Sequence, residues 1–310
     1  MVARSSAPTS GDYEHCVSLS ERVSWTVDEI LTAQQELDFT RPFLPEAMVN
    51  LTRAPLAAAD RLRLNHIRAN SYLNLFVFVE EYIVATAMRH AQAEQFGSPD
   101  ALRALLRFAD EELKHQQLFR RFRAAFERGF GARCDVVENA TDVAGFILGK
   151  SPLGVLVTTL HLELVTQLHY VSSVREGASL ENIEPTFRSL LKHHWLEESQ
   201  HAQIDALEIA KLACDAPAEL LDQAVTDYLE VLSAFDAVLE RQTDLDLDTL
   251  ARLSPGIEGT TRDELRIQQL ASYRKSFLLD GLDHPAVIAT LQQLTDTAAS
   301  QAAALAARYR

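Results

Sequence analysis

The sequence contains few of the residues that build disulfide frameworks or flexible linkers. Only three of its 310 residues are cysteine, and Cys16, Cys134 and Cys214 lie far apart with no Cys-x-x-Cys pair. This set excludes a disulfide-rich secreted domain and predicts reduced thiols. Glycine and proline together make up only about 7% of the chain, against ~12% in average proteins. A collagen-like, low-complexity or linker-dominated chain is therefore excluded.

Positive charge is also scarce. The 29 lysines and arginines face 44 aspartates and glutamates, which gives a formal net charge of −15. Nucleic acids and anionic membranes bind clustered positive charge, so we expect neither as a partner. The N-terminal residues lack the apolar core of a signal peptide, and the most apolar stretch, residues 143–160, is interrupted by Lys150 and Pro152. The sequence therefore predicts a soluble, cytoplasmic protein.

Apolar residues, in contrast, are abundant and have helical spacing. They make up 47% of the chain and recur at three- and four-residue steps, whereas no segment alternates like a strand. We expect one all-α domain over residues 16–310, preceded by a disordered tail of residues 1–15. Ser98-Pro99-Asp100 is typical of a helix start, and residues 244–248 are predicted to form a capped turn. The predicted helices are 56–96, 101–130, 153–173, 183–214, 218–242 and 261–279, with a terminal helix or frayed tail at 295–310.

Two segments carry the motif Glu-x-x-His. The pairs are Glu112 with His115 and Glu198 with His201. Residues three apart on a helix lie about 60° apart around its axis, so each pair shares one face and supplies half of a metal site. Such pairs also arise by chance as ordinary surface polarity, so the interpretation depends on the residues that accompany them.

Two further glutamates lie inside apolar runs. Glu80 falls within residues 74–83 and Glu163 within residues 160–165. A carboxylate is costly to bury unless its charge is compensated, and a metal ion compensates it. The order Glu, Glu-x-x-His, Glu, Glu-x-x-His on four successive helices is typical of ferritin-like dimetal carboxylate bundles. The long interval from Glu112 to Glu163 fits the single crossover connection of these bundles. We therefore predict a ferritin-like four-helix core with additional N- and C-terminal helices.

His194 lies in the same helical sector as the second motif. On a helical wheel it projects about 40° from Glu198 and about 20° from His201, which makes it a candidate seventh ligand. Carboxylate and imidazole donors without thiolate favour iron, with manganese as the alternative.

Three assignments stay open at this point. The first ligand is Glu80 or its neighbour Glu81, with Glu80 favoured because it lies on the apolar stripe of its helix. Glu163 could instead be a core carboxylate paired with His169 or Arg175. His194 could hydrogen-bond to a ligand without touching metal.

With these residues the chain resembles the p-aminobenzoate N-oxygenases. That family has the pattern Glu, Glu-x-x-His, Glu, His-x-x-x-Glu-x-x-His, and its Glu-x-x-Ile at the first ligand is matched by residues 80–83. A weaker similarity covers residues 273–283, so the resemblance extends from about residue 60 to 285 and is thin outside the motifs. The matching ligand positions are Glu80, Glu112, His115, Glu163, His194, Glu198 and His201.

The resemblance implies a non-haem di-iron monooxygenase. Such an enzyme activates O2 through a peroxo-diferric species and oxidises an arylamine towards hydroxylamine, nitroso and nitro products. It also implies two iron ions, a small amine substrate, electrons from an external reductase and a homodimer. Oxidation of another small molecule, iron storage with ferroxidase activity, a radical generator and a metal-free helical scaffold are the competing hypotheses.

Overall fold

The computed structural model describes residues 7–138, 140–171 and 182–310. These ranges contain helices, turns and loops but no strand, which confirms the all-α prediction. No helix among the described residues is both long and apolar enough to cross a membrane. The helices are α1 (Ser10–Ser20), α2 (Val27–Ile30), α3 (Glu46–Val49), α4 (Ala58–Ala93), α5 (Pro99–Phe130), α6 (Ala140–Leu148), α7 (Pro152–Tyr170), α8 (Pro185–Cys214), α9 (Ala218–Leu253), α10 (Gly259–Arg274), a π-helix (Lys275–Leu279), α11 (Asp280–Leu282), α12 (Pro285–Leu294) and α13 (Ala298–Tyr309).

Four long helices form the core bundle. Helix α4 packs along α5 and α7 packs along α8, while α5 also contacts α8. The start of α5 is as predicted, since the Ser98 side chain accepts a hydrogen bond from the amide of Ala101 at 3.3 Å. Residues 64–80 of α4 are buried without interruption, because α9 covers the side of α4 that the bundle leaves open. The centre of α4 is therefore shielded from water on all sides.

Two buried histidines attach the C-terminal helices to α7. Nε2 of His161 lies 3.0 Å from the carbonyl oxygen of Phe277, and Nε2 of His169 lies 2.9 Å from that of Ser276. A carbonyl only accepts hydrogen bonds, so each Nε2 carries the proton and each Nδ1 accepts one from a tyrosine hydroxyl. Both carbonyls belong to the π-helix. In α11, a β-carbon added at Gly281 would overlap the ring of His161, so glycine is required for this close approach.

The N-terminal tail is shorter than predicted. Residues 1–6 lie outside the described residues, but residues 10–15 are helical, so the predicted disorder is wrong there. Thr9 and Asp12 form a capping box, and the buried side chains of Tyr13, Cys16 and Val17 recur at helical spacing. This face of α1 packs on α5 and α8. The composition rich in Ser, Pro and Gly predicted disorder, although the segment contains the start of a short helix with one buried face.

The predicted turn at residues 244–248 is also wrong, because α9 continues through it to Leu253. Asp246 is buried and accepts hydrogen bonds from Ser71 at 2.5 Å and from Tyr273 at 2.6 Å. Asp244 and Asp248 pair with arginines of α10. Partners from other helices thus satisfy aspartates whose spacing resembles that of a turn. Ser172 and Ser173, the predicted end of the third helix, lie outside the described residues.

Candidate metal centre

The bundle brings all seven predicted ligand residues together in its interior. Helices α4 and α7 contribute one glutamate each, α5 contributes a Glu-x-x-His pair, and α8 contributes His-x-x-x-Glu-x-x-His. None of these side chains belongs to a residue more than 3% exposed. The residues are Glu80, Glu112, His115, Glu163, His194, Glu198 and His201.

Glu198 occupies the middle of this cluster. Its Oε1 lies 3.1 Å from Nε2 of His194, 3.4 Å from Nδ1 of His115 and 3.5 Å from Nδ1 of His201. Donors that share one metal ion at bond lengths near 2.1 Å are about 3 Å apart. Since its oxygen faces histidines of both motifs, Glu198 is placed to bridge two ions. Glu112 is placed similarly, with Oε1 2.8 Å from Nδ1 of His201 and 3.7 Å from Nδ1 of His115.

The two single glutamates flank the cluster on opposite sides. Oε1 of Glu80 lies 3.3 Å from Nε2 of His194 and 3.9 Å from Nδ1 of His115. Oε2 of Glu163 lies 3.8 Å from Nδ1 of His201. Each glutamate therefore faces the histidine of a different motif, as expected for terminal ligands of two separate ions.

Every residue of the cluster has a buried polar atom without a well-directed hydrogen bond within the part of the chain that the structure describes. Buried polar atoms are normally paired, because an unpaired one costs about 1–3 kcal/mol. Here all seven residues have at least one unpaired buried atom, and Glu80 and Glu163 have two each. A metal pair would satisfy these atoms together, and the mixed oxygen and nitrogen donors suit iron or manganese. The residues present thus fit a dimetal group.

The pKa values of the four glutamates in the centre are shifted in opposite directions. Burial raises the pKa of Glu80 and of Glu163 well above the usual range, and the charges of Glu112 and Glu198 raise both further. Burial also acts on Glu112 and Glu198, but hydrogen bonds and charges from neighbouring histidines outweigh it and lower both pKa values. In the metal-free centre these shifts favour the protonated form of Glu80 and Glu163 and the ionised form of Glu112 and Glu198.

The histidines of the two motifs also hold protons. Burial opposes protonation of His115, but Glu112 and Glu197 raise its pKa to about 9. Glu111 and Glu112 similarly raise the pKa of His201 well above its ordinary value. Metal binding would replace these protons with positive charge at the same position.

Two glutamates outside the predicted set orient the motif histidines. Nε2 of His115 lies 2.8 Å from Oε2 of Glu197 on α8, and Nε2 of His201 lies 2.9 Å from Oε2 of Glu111 on α5. Each histidine is thus held by the helix that carries the other motif. We call Glu111 and Glu197, which make these two contacts, the crossed pair. They leave Nδ1 of each ring free to face the centre, as expected for histidine metal ligands.

The crossed pair is itself anchored towards the surface. Glu197 pairs with Lys114, whose ammonium lies 4.0 Å from the ring centre of Trp25. Glu111 accepts hydrogen bonds from Ser20 at 2.5 Å and from Gln200 at 2.6 Å. Ser20 is the last residue of α1, so the N-terminal helix contributes directly to the support of the centre.

The structure bears on two of the alternatives left by the sequence, those of Glu80 and Glu163. Glu81, the competitor of Glu80, points outward and pairs with Arg120 at 3.2 Å. Glu163 lies in the cluster rather than against His169, which is hydrogen-bonded to Tyr72 and to the π-helix. Arg175 lies outside the described residues.

The sequence contains a signal for the crossed pair that was missed. Both motifs have the longer form Glu-Glu-x-x-His, at residues 111–115 and 197–201. The first glutamate of each lies about 100° from the second on the wheel and faces the neighbouring helix. Repetition of this longer form is the feature that could have identified Glu111 and Glu197.

Comparison with known proteins finds similar solved structures at low sequence identity. No family model and no curated protein matches the chain. Among solved structures it is similar to an R2-like ligand-binding oxidase with aerobically reconstituted Mn/Fe cofactor. The identity is 16%, the match covers 87% of this chain and 91% of that one, and the TM-score is 0.49. A mutant of such an oxidase matches at 16% identity, 87% and 94% coverage and a TM-score of 0.47. At these values, the assignment of the centre rests on the geometry of this chain's own residues.

Proposed function

We propose that the chain is a dimetal oxidoreductase that reacts with O2, with iron as the metal and manganese as the alternative. The proposal rests on the seven buried residues, each of which has a polar atom without a well-directed hydrogen bond to any described residue. The four glutamates and three histidines of the cluster would hold the ions. Two bound irons supply electrons and open coordination positions for O2.

We further propose that the reaction is N-oxygenation of a small arylamine. The observation that supports this choice is the position of His194, the residue that distinguishes the resembled family from simpler centres. Its Nε2 lies within 3.3 Å of both Glu80 and Glu198, which supports a role for it as a ligand. One oxygen atom of O2 enters the N–H bond to give a hydroxylamine. The other leaves as water with two protons and two electrons from an external reductase.

The chain's own groups have defined tasks in this reaction. The crossed pair of Glu111 and Glu197 holds the two imidazoles with Nδ1 towards the centre. Burial of the cluster excludes bulk water, which protects reactive oxygen species from side reactions. Burial raises the pKa values of Glu80 and Glu163, so binding of a metal ion to these carboxylates would release protons from the centre. A homodimer and a cytoplasmic location complete the proposal.

Metal analysis followed by isotope labelling tests both levels of the proposal. Protein reduced and loaded with Fe(II) without oxygen should hold two irons per chain. After 18O2 is admitted with 4-ethylaniline, mass spectrometry should find 18O on the nitrogen of the product. Less than one iron per chain would contradict the dimetal centre itself.

The variant His194→Ala distinguishes the proposed dimetal oxidase from the proposed N-oxygenation. It should retain bound iron and O2 consumption but transfer little label to nitrogen, with His193→Ala, whose ring faces Ser189, as the matched control. Two irons and rapid O2 consumption with no labelled amine product would retain the oxidase and overturn N-oxygenation.

A further inference from the structure

A half-enclosed cavity of about 340 Å³ lies between α4, α6, α7 and α9. It is separate from the seven-residue cluster but shares two of its helices. Val79 and Leu162 line the cavity, and each directly precedes a candidate ligand, Glu80 and Glu163. Consecutive residues of a helix project about 100° apart, so the cavity and the centre lie on adjacent faces of α4 and α7.

The lining of this cavity is apolar and aromatic. Phe78 of α4, Phe146 of α6 and Phe235 of α9 supply three rings from three helices. Two polar side chains complete the lining, and the hydroxyl of Thr158 already donates to the carbonyl of Gly154 at 3.0 Å. Such a surface binds a flat apolar molecule better than a polar one.

The charge of the lining is of one sign. Asp142, which is exposed, is the charged residue in it, and no lysine, arginine or histidine is present among the described residues that form the wall. Lys150 lies 4.5 Å from the ring centre of Phe146, but its ammonium is paired with Glu230 at 2.6 Å. A carboxylate bound here would lose its hydration, find no cation and face a negative charge.

We propose that this cavity is the binding site for the organic substrate and that it selects uncharged or cationic aromatic amines over aromatic carboxylates. The volume lies at the small end of the range for ligand sites, which suits one or two rings. This inference extends the proposed N-oxygenation and rests on it, since the molecule bound in the cavity is a substrate only if that reaction occurs. It also predicts that 4-aminobenzoate is a poor ligand of this chain.

Direct binding to the metal-free protein tests the selectivity. 4-Nitroaniline and 4-aminobenzoate have nearly the same shape but differ in charge. Titration calorimetry should give a dissociation constant at least roughly tenfold lower for 4-nitroaniline. Its absorption band should also move to shorter wavelength, because the cavity is less polar than water. Equal binding of the two probes, or tighter binding of the benzoate, would overturn the proposal.

Variants at the rim locate the bound molecule. Ala234 lines the cavity and Ala237 does not, and both are exposed residues of α9. Ala234→Phe should weaken 4-nitroaniline binding roughly tenfold, whereas Ala237→Phe should leave it unchanged. Asp142→Lys should strengthen binding of 4-aminobenzoate and leave that of 4-nitroaniline within about twofold. Binding that ignores Ala234→Phe would place the probe elsewhere and reject the cavity.

These results are distinguishable from a failure of the proposed reaction. Since the protein is metal-free, the titrations do not depend on iron or O2. Binding that follows the predicted selectivity without N-oxygenation would retain the site and reject the reaction. If Ala234→Phe formed labelled product from 4-ethylaniline at the unaltered rate, the reaction would be retained and the cavity would be rejected as its substrate site.

Discussion

Glu111 and Glu197 each hold a histidine through a charge-assisted hydrogen bond. Replacing either by glutamine removes the charge and leaves the ring free to turn. We therefore expect Glu111→Gln and Glu197→Gln to weaken metal binding by roughly 10–100-fold while the fold is retained. Chelator competition with Mn(II) measures the affinity. Glu81→Gln is the matched control, since Glu81 contacts Arg120 away from the centre. Unchanged affinity in both variants would remove their assigned role.

Glu163 illustrates the conflict between stability and metal binding. Both of its oxygens are buried and unpaired, and its pKa is raised well above the usual range, mainly by burial. Glu163→Leu should therefore stabilise the metal-free protein by about 1–3 kcal/mol. The same change should reduce the metal content from two ions per chain to one.

Urea unfolding and metal analysis measure these two effects. Glu81→Leu, outside the cluster, should leave the metal content unchanged. A metal-free Glu163→Leu protein less stable than the parent would show that the carboxylate has a structural partner.

At the scale of single residues, spacing, apolar context and the family resemblance predicted seven candidate ligands, which the structure brings together in the bundle interior. Glu80 was favoured over Glu81 because it lies on the apolar stripe of its helix, and the structure places its oxygens in the cluster. Glu111 could not be assigned in this way, because its role depends on which helix lies opposite. A one-dimensional pattern contains the period of a helix but not the identity of its neighbour.

At the scale of elements, the contact between α11 and α7 depends on the absence of a side chain. A β-carbon at Gly281 would overlap His161, whose ring is fixed between Phe277 and Tyr228. Gly281→Ala should therefore destabilise the protein by about 1–3 kcal/mol. Gly145→Ala in α6 is the control, since nothing lies near the added methyl group, and it should be neutral or slightly stabilising. Thermal unfolding of both variants checks the contrast.

The two buried histidines of α7 give the fold a defined response to acid. Burial lowers the pKa of His161 and of His169 to about 4, against 6.5 in the unfolded chain. Between these values the unfolded state binds protons that the native state does not. Their contribution to stability is therefore complete above pH 6.5 and is lost as the pH falls to about 4.

Urea unfolding at pH 7.5, 6 and 5 measures this loss. His161→Gln should be less stable than the parent at pH 7.5 but should lose less stability on acidification. The exposed His15→Gln should behave as the parent does. An identical pH slope in His161→Gln would show that the acid response comes from other groups.

The long helices were predictable because apolar spacing and breakers agree over many turns. Helix α1 was missed since its eleven residues follow a Ser- and Pro-rich start, and its stability comes from packing on α5 and α8. The extension of α9 through Asp246 was missed for a related reason. The carboxylate of Asp246 accepts hydrogen bonds from Ser71 and Tyr273, which are far away in sequence.

At the scale of the whole molecule, the metal centre is a large source of conditional stability. The metal-free centre contains four buried carboxylates, and bound ions compensate charge that the folded protein otherwise holds at a cost. Metal at 100 times its dissociation constant should add about 2.7 kcal/mol to the free energy of unfolding. Calorimetric scans with and without Mn(II) should show the corresponding rise in Tm. His201→Ala should show little of this rise, and an equal rise there would place the stabilising ion elsewhere.

The order of the long helices and the absence of a membrane-length apolar helix among the described residues both follow from composition and periodicity. The cavity beneath α6 does not, because it depends on how far α9 stands from α4 and α7. Packing distances between helices are set by side chains from several segments at once.

The crossed pair has a mechanical consequence. Because α5 holds the imidazole of α8 while α8 holds that of α5, a slide of one helix past the other by a single residue rise, about 1.5 Å, breaks both contacts together. Neither half of the centre can loosen while the other stays aligned. The register of the two helices thus aligns both motif histidines together, so a shift of α5 against α8 would weaken both metal sites at once.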